Sequence, residues 1–129
     1  MKEKTKKYEK LIFNSKNSPL GSIPFHENSD VIERYCSKNF PVHLAIHEIN
    51  KAQKKDRNYV KPHKHEKSEI NILLGNLKYL ILLGDEEYIV QAPANIWIPA
   101  GLNHSANLIE GEGHYICIIL NDKYDAAGK

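Results

Sequence analysis

The stretch PHKHEKSE, residues 62–69, sets His63 and His65 one residue apart and places Glu69 four positions after the second histidine. Lysines fill part of the space between them. Imidazole and ammonium groups this close repel once protonated, so the arrangement needs something to offset that cost. Residues two apart on a strand share a face, so the two rings would stand side by side, roughly 7 Å apart at the backbone. A divalent cation shared between neutral imidazoles favours their deprotonation and removes the repulsion. Glu69 adds a hard anionic oxygen at the start of the next strand, after a turn that returns it beside the pair.

A second segment, PAGLNH at residues 99–104, supplies Pro99, Gly101 and His104 in a P-x-G-x-x-H spacing. Neither pattern alone is specific in a chain with seven histidines, but the two together in this order are. Around them the apolar periodicity is two. In VHLAIHEI, residues 42–49, Val42, Leu44 and Ile46 alternate with His43, Ala45 and His47, as on a strand with two different faces. Further strands are expected at 59–65, 69–74, 77–83, 87–91, 95–98, 104–109 and 114–120. Turn residues separate them: Gly75-Asn76, Gly84-Asp85, Pro93-Ala94, Gly101, and Gly111 with Gly113. Eight short strands with no helix between them indicate an antiparallel sandwich or barrel.

Upstream, Asp30 and Glu33 resemble a helix N-terminal cap. Val31, Ile32 and Tyr35 would share one face of a short helix that Pro41 ends. The sequence thus divides into a polar N-terminal arm (1–29), a β domain (30–122) and a tail (123–129). The arm reads as disordered alone or pinned on a partner. LKYLILL, residues 77–83, is apolar at nearly every position, which implies a strand covered on both sides. The second cover would be another copy, so a homodimer is expected.

Composition narrows the function. The chain has 129 residues, enough for one core, with 41% hydrophobic and 26% charged residues and a net charge of +2. Residues 51–67 hold seven of the eighteen Lys and Arg, but no aromatics are interleaved as single-strand binders require, so no nucleic-acid partner is expected. No apolar run reaches membrane-spanning length, and the charged MKEKTKKYEK start is not a secretory signal. A cytoplasmic location is expected. There Cys36 and Cys117, far apart and without a CxxC pair, stay reduced and act as small buried hydrophobes.

The combined motifs resemble the cupin superfamily, whose first motif is G-x5-H-x-H-x3,4-E-x6-G and whose second is G-x5-P-x-G-x2-H-x3-N. The resemblance covers about residues 42–120 and implies an all-β jelly-roll barrel with one metal inside. Carried over residue by residue, the metal ligands fall on His63, His65, Glu69 and His104. Gly75 closes the first motif, while Pro99 and Gly101 make the turn that aims His104. The sequence departs from the pattern at Arg57, which stands where the first glycine should, and at Pro93, which replaces the second motif's glycine. Glu69 and Gly75 are separated by five residues, and Asn107 comes one position early.

Three imidazoles and a carboxylate suit Fe2+, Mn2+, Ni2+, Co2+ or Zn2+. Two further positions on an octahedral ion would remain for a small-molecule substrate, water or dioxygen. One carboxylate leaves such a site near +1, which favours an anionic substrate. His43 and His47 share a strand face and are the candidate acid–base or substrate-orienting residues. His26 and His114 read as surface residues, and Tyr79 and Trp97 as core packing. The functional expectation is a metal-dependent enzyme for a small anionic or hydroxylated metabolite, either a dioxygenase or an isomerase, epimerase or lyase using metal-assisted proton transfer. A regulatory binding module with the same pocket is the alternative.

Overall fold

Period-two alternation resolves into seven antiparallel strands in the computed structural model, which describes residues 7–52 and 59–120. They are β1 (Lys16–Asn17), β2 (Ile32–Cys36), β3 (His43–Ala52), β4 (Glu69–Leu83), β5 (Glu86–Gln91), β6 (Ala94–Ile98) and β7 (His104–Ile119). The sheet order is β1-β2-β3-β7-β4-β5, with β6 also paired to β4. Residues 1–6, the loop around Arg57 and the tail 123–129 lie outside the described residues.

β4 and β7 dominate. They pair along their whole length, from Glu69 opposite Ile119 to Leu83 opposite His104. Their two halves serve different sheets. The first half of β4 pairs with β6, while the adjoining half of β7 pairs with β3. The second half of β4 pairs with β5. Layers of this kind are the all-β jelly-roll arrangement the sequence implies.

Three glycines sit where the ladder passes from one sheet to the other. Gly75 faces Gly113, and Gly111 faces Leu77. All three have positive φ, at 94°, 147° and 111° for Gly75, Gly113 and Gly111. A Cβ on Gly111 would lie 1.9 Å from the Asn76 carbonyl oxygen, and one on Gly113 would lie 2.1 Å from that of Leu74. The expected turns at Gly75-Asn76 and at Gly111 with Gly113 are therefore strand interior. Glycine is needed there for close backbone approach and not for chain reversal. Four expected short strands fuse into two long ones. Gly84-Asp85 does make the expected hairpin, joining Leu83 to Glu86.

Two other expectations are corrected. The short helix over residues 30–35 is strand β2, with Ile32, Arg34 and Cys36 buried and Glu33 exposed. Its capping signature is outweighed by pairing with β3, which buries the alternate residues. The strand expected at 59–65 is reduced to isolated bridges from Val60 to His26 and from His63 to His104. A side chain replaces the missing ladder: Asn107 Oδ1 accepts from the Val60 N–H at 2.9 Å, and Asn107 Nδ2 donates to the Val60 carbonyl at 3.0 Å. A carboxamide imitates a peptide here and holds the segment that carries His63.

The N-terminal segment from β1 onward packs on the barrel. β1 pairs with β2, Leu20 is only 3% exposed, and backbone hydrogen bonds run from Lys61 to Phe25 and from Glu27 to Tyr59. The core comprises Ile32, Ile49, Leu73, Leu77, Tyr79, Ile81, Leu108 and Tyr115 with Leu20. Trp97, expected in the core, is 56% exposed on the outer side of β6. Its neighbours Ile96 and Ile98 point the other way, and Ile98 is buried. Cys36 and Cys117 form no disulfide among the described residues, and the first is buried, the second partly so.

The crossing glycines generate a stability prediction. Gly113→Ala places a methyl group against a backbone carbonyl in a left-handed conformation, so it should cost about 3 kcal/mol or more. Denaturant unfolding of the variant against the parent measures this. A loss below about 0.5 kcal/mol would mean that the ladder does not need the close approach.

Candidate metal centre and its cavity

His63 and His104 exchange both backbone hydrogen bonds, His63 N–H to His104 O at 3.0 Å and His104 N–H to His63 O at 2.8 Å. This pairing joins the two motifs directly. Leu102 N–H reaches the Pro99 carbonyl at 3.2 Å, and Gly101 between them has φ 81°, the geometry of a type II turn. The Gly101 N–H in turn donates to the His65 carbonyl at 2.8 Å. Pro99 and Gly101 thus set the entry to β7 that carries His104.

Each imidazole is pinned in the same way. His63 Nδ1 meets the Lys61 carbonyl at 2.7 Å, His65 Nδ1 that of Lys67 at 3.2 Å, and His104 Nδ1 that of Leu102 at 2.8 Å. A carbonyl only accepts, so Nδ1 carries a proton in all three, and each Nε2 faces away from that carbonyl. The ligating nitrogens lie within 4.8 Å of one another, and the three form a group able to hold a metal ion. Ring centroids are 4.7 Å apart for His63 and His104, 4.9 Å for His65 and His104, and 5.8 Å for His63 and His65.

Glu69 closes the cluster. Its Oε1 lies 3.0 Å from His65 Nε2 and 3.3 Å from His104 Nε2, while Oε2 accepts from Asn71 Nδ2 at 2.7 Å. Burial pushes the carboxyl pKa up, but the His104, His65 and Asn71 contacts outweigh it and hold the group well below the usual carboxylate range. Bonding to Glu69 raises His65, whereas burial lowers His63. His104 Nε2 is buried and has no hydrogen-bond partner among the described residues, with Glu69 Oε1 3.3 Å away. A buried ring nitrogen without a hydrogen bond, beside a buried carboxylate oxygen, offers a cation two donors at once, and the donor set fits a divalent transition metal.

The four residues open into a cavity of about 60 Å³. His43 and His47 both line it, on the buried face of β3, while Leu44 and Ile46 face outward half-buried. The histidine-bearing face is thus the inner one. His47 Nδ1 meets the Tyr115 carbonyl at 2.9 Å, and burial followed by the Arg34 charge lowers its pKa to about 3. Tyr79 and Tyr115 stack at 4.9 Å to form an aromatic wall, and burial pushes both phenols up.

Two cavity residues escaped the sequence reading. His26, expected at the surface, is half-buried and lines the cavity, with its ring 5.4 Å from that of His63. Burial lowers its pKa to about 4. Beside it Phe25 stacks on the other side of His63 at 5.2 Å, the planes 3° from parallel. An arm without periodicity gives no signal for either. Arg34 is 1% exposed and also faces the cavity. The alternation of Ile32, Arg34 and Cys36 was its available signal. His114 is exposed, as expected.

The sequence matches no family model and no curated relative. Solved structures do match. A predicted oxalate decarboxylase from Thermotoga maritima aligns at TM-score 0.57 and 14% identity, over 83% of this chain and 91% of that one. A cupin superfamily protein from Desulfitobacterium hafniense aligns at 0.55 and 12%, over 74% and 82%. The structure of FeII HppE aligns at 0.54 and 16%, over 76% and 54%. At such identities the likeness speaks for architecture alone, and it agrees with the motifs and with the strand order: this chain has the cupin fold.

Proposed function

We propose that the chain is a divalent-metal-dependent cupin enzyme that binds a small anionic or hydroxylated metabolite in this cavity. His63, His65, Glu69 and His104 would hold the ion. The observation that carries the reading is the set of three imidazoles, each fixed through Nδ1, whose Nε2 atoms converge beside a buried carboxylate. The name of the FeII HppE structure shows that the fold accommodates iron in another protein, which supports the reading without choosing the metal.

A bound metal supplies Lewis acidity, and iron adds redox chemistry. The chain's own residues do the rest. Tyr79, Tyr115 and Ala106 exclude water from the cavity wall. His47, neutral with its proton on Nδ1, turns Nε2 to the cavity as a hydrogen-bond or proton acceptor. His43, in the same row of the sheet as Glu69 through Ile119, stands nearer the metal end and would handle a proton there. A reduced, cytoplasmic setting suits Cys36 and Cys117, which form no disulfide among the described residues.

Pairing of two copies is part of the proposal. On β4, Leu80 and Leu82 point outward half-buried, and Ile89 beside Leu80 on β5 is 69% exposed. This apolar face would meet its equivalent in the second copy. Sedimentation at micromolar concentration should give a dimer that Ile89→Lys dissociates; a monomeric parent protein would end this part of the reading.

Protein purified without chelator should carry close to one metal per chain. His63→Ala, His65→Ala and His104→Ala should each abolish stoichiometric binding by elemental analysis, and Glu69→Ala should weaken it. Chelation should lower the Tm, and readdition of the metal at about a hundredfold over Kd should restore about 3 kcal/mol. Oxygen uptake with iron(II), or exchange of substrate protons in deuterated water, should follow when small acids are added. Metal below about a tenth of an equivalent that no divalent ion restores would refute the reading. Tight binding of metal and acid without turnover would make the chain a binding module.

His47 gives a pH prediction. Its folded pKa lies below the value of about 6.5 for a free histidine, so its contribution to stability is fully present above pH 6.5. That contribution is lost as pH falls towards about 3. Between pH 7 and pH 5 the metal-free protein should lose about 2 kcal/mol through this group. His47→Gln should remove that part of the slope in unfolding titrations. An identical slope in the variant would show that His47 is not buried as a neutral ring.

A further inference from the structure

Arg34 is among the largest fully buried side chains of the described residues. A guanidinium stays charged at any ordinary pH, and burying one without a counter-ion costs several kcal/mol on the scale of known cases. Among the described residues the guanidinium's hydrogen bonds run from Nη1 to the Ser18 carbonyl at 3.2 Å and to Ser18 Oγ at 3.1 Å. Both acceptors are neutral and both contacts are long. Nε and Nη2 have no partner among the described residues, and no carboxylate there forms an ion pair with Arg34. The two unclaimed nitrogens form one edge of the planar group, the edge on which a carboxylate binds with both oxygens.

The position of that edge is informative. Arg34 lines the same cavity as the metal centre. Across the sheet it pairs with His47, which pairs with Tyr115. The row containing His43, Ile119 and Glu69 lies four residues further along β3, roughly 13 Å at the backbone. The row between holds Cys36, Ala45 and Cys117, all small, which is why space remains there. His26 lines the same cavity, its ring 5.4 Å from that of His63. The cavity therefore runs from a cation-binding end to a fixed cation, and its length suits one small molecule.

We propose that Arg34 anchors the carboxylate of the cavity's occupant through Nε and Nη2. The ligand is then a small carboxylic acid whose other end, bearing the reacting or chelating group, faces His63, His65 and His104. This rests on the reading of the cavity as a small-molecule site and makes its anionic substrate a carboxylate. The unoccupied fork is the reason such a cation is tolerated inside the barrel, because the ligand completes its solvation shell.

The test uses the full chain, metal-free and metal-loaded, with acetate, succinate and adipate as probes and acetamide, succinamide and sulfate as controls. Carboxylates should raise the Tm and shift the Arg34 Nε–H resonance, while the amides and sulfate should do neither. Arg34→Met, which replaces the charge by an apolar chain of similar length, should fold at least as stably and lose the carboxylate response about tenfold or more. Arg34→Lys keeps the charge without the fork and should lose a similar factor. Metal content is measured in the same samples. Normal metal with no carboxylate response in the parent protein overturns the anchor alone. A carboxylate response that persists in both variants, or a sulfate response equal to it, overturns it too. Carboxylate binding lost in the variants, but with no metal in any sample, upholds the anchor and removes the metalloenzyme.

Discussion

The site depends on a ribbon that folds back on itself. Glu69 and His104 stand at opposite ends of the β4–β7 ladder, Glu69 opposite Ile119 and His104 opposite Leu83. In a straight ribbon they would be roughly 45 Å apart. In the folded chain Glu69 Oε1 is 3.3 Å from His104 Nε2. Gly75, Gly111 and Gly113 lie near the midpoint, where the backbones approach too closely for a Cβ. A bend in two long strands thus does what a set of separate loops would otherwise have to do. The histidine–glutamate cluster inherits its position from the middle of the ladder, not from its own neighbourhood.

Around that bend, backbone polarity is used for aiming. Three histidines donate Nδ1–H to a carbonyl two residues away, so each ring orientation is set by the local chain. The Asn107 carboxamide holds the irregular 59–63 segment on β7, and the Gly101 N–H ties the second motif to the carbonyl of His65. None of these bonds touches the ion-binding point. They fix what the ligands can do before any ligand arrives, which lowers the ordering cost of binding.

The metal-ligand candidates were legible in the sequence because coordination demands particular residue types at particular spacings, and few accidents imitate them. Strand positions were legible where two faces differ, as in β3. Continuity was not. Gly75 and Gly111 look like turns because glycine marks both chain reversal and close approach, and only the partner strand tells them apart. Arg34 was concealed by Asp30 and Glu33, whose spacing imitates a helix cap, so its place in a buried alternation went unread. His26 and Phe25 belong to an arm without periodicity; their positions follow from bonds to residues 59–61, far away in sequence. Trp97 shows the converse, a large apolar residue whose strand turns it outward.

The narrow middle row of the inner sheet has a consequence for selectivity. Ala45 and its neighbour Cys117 occupy the stretch of cavity wall between the two ends. Side-chain volume at position 45 therefore acts as a ruler. A bulkier residue there would divide the interior into two small chambers and reject longer molecules, without changing a charge at either end. Descendants of this sequence could retune which length they accept by a single step in size at that place, leaving the grip on both termini intact.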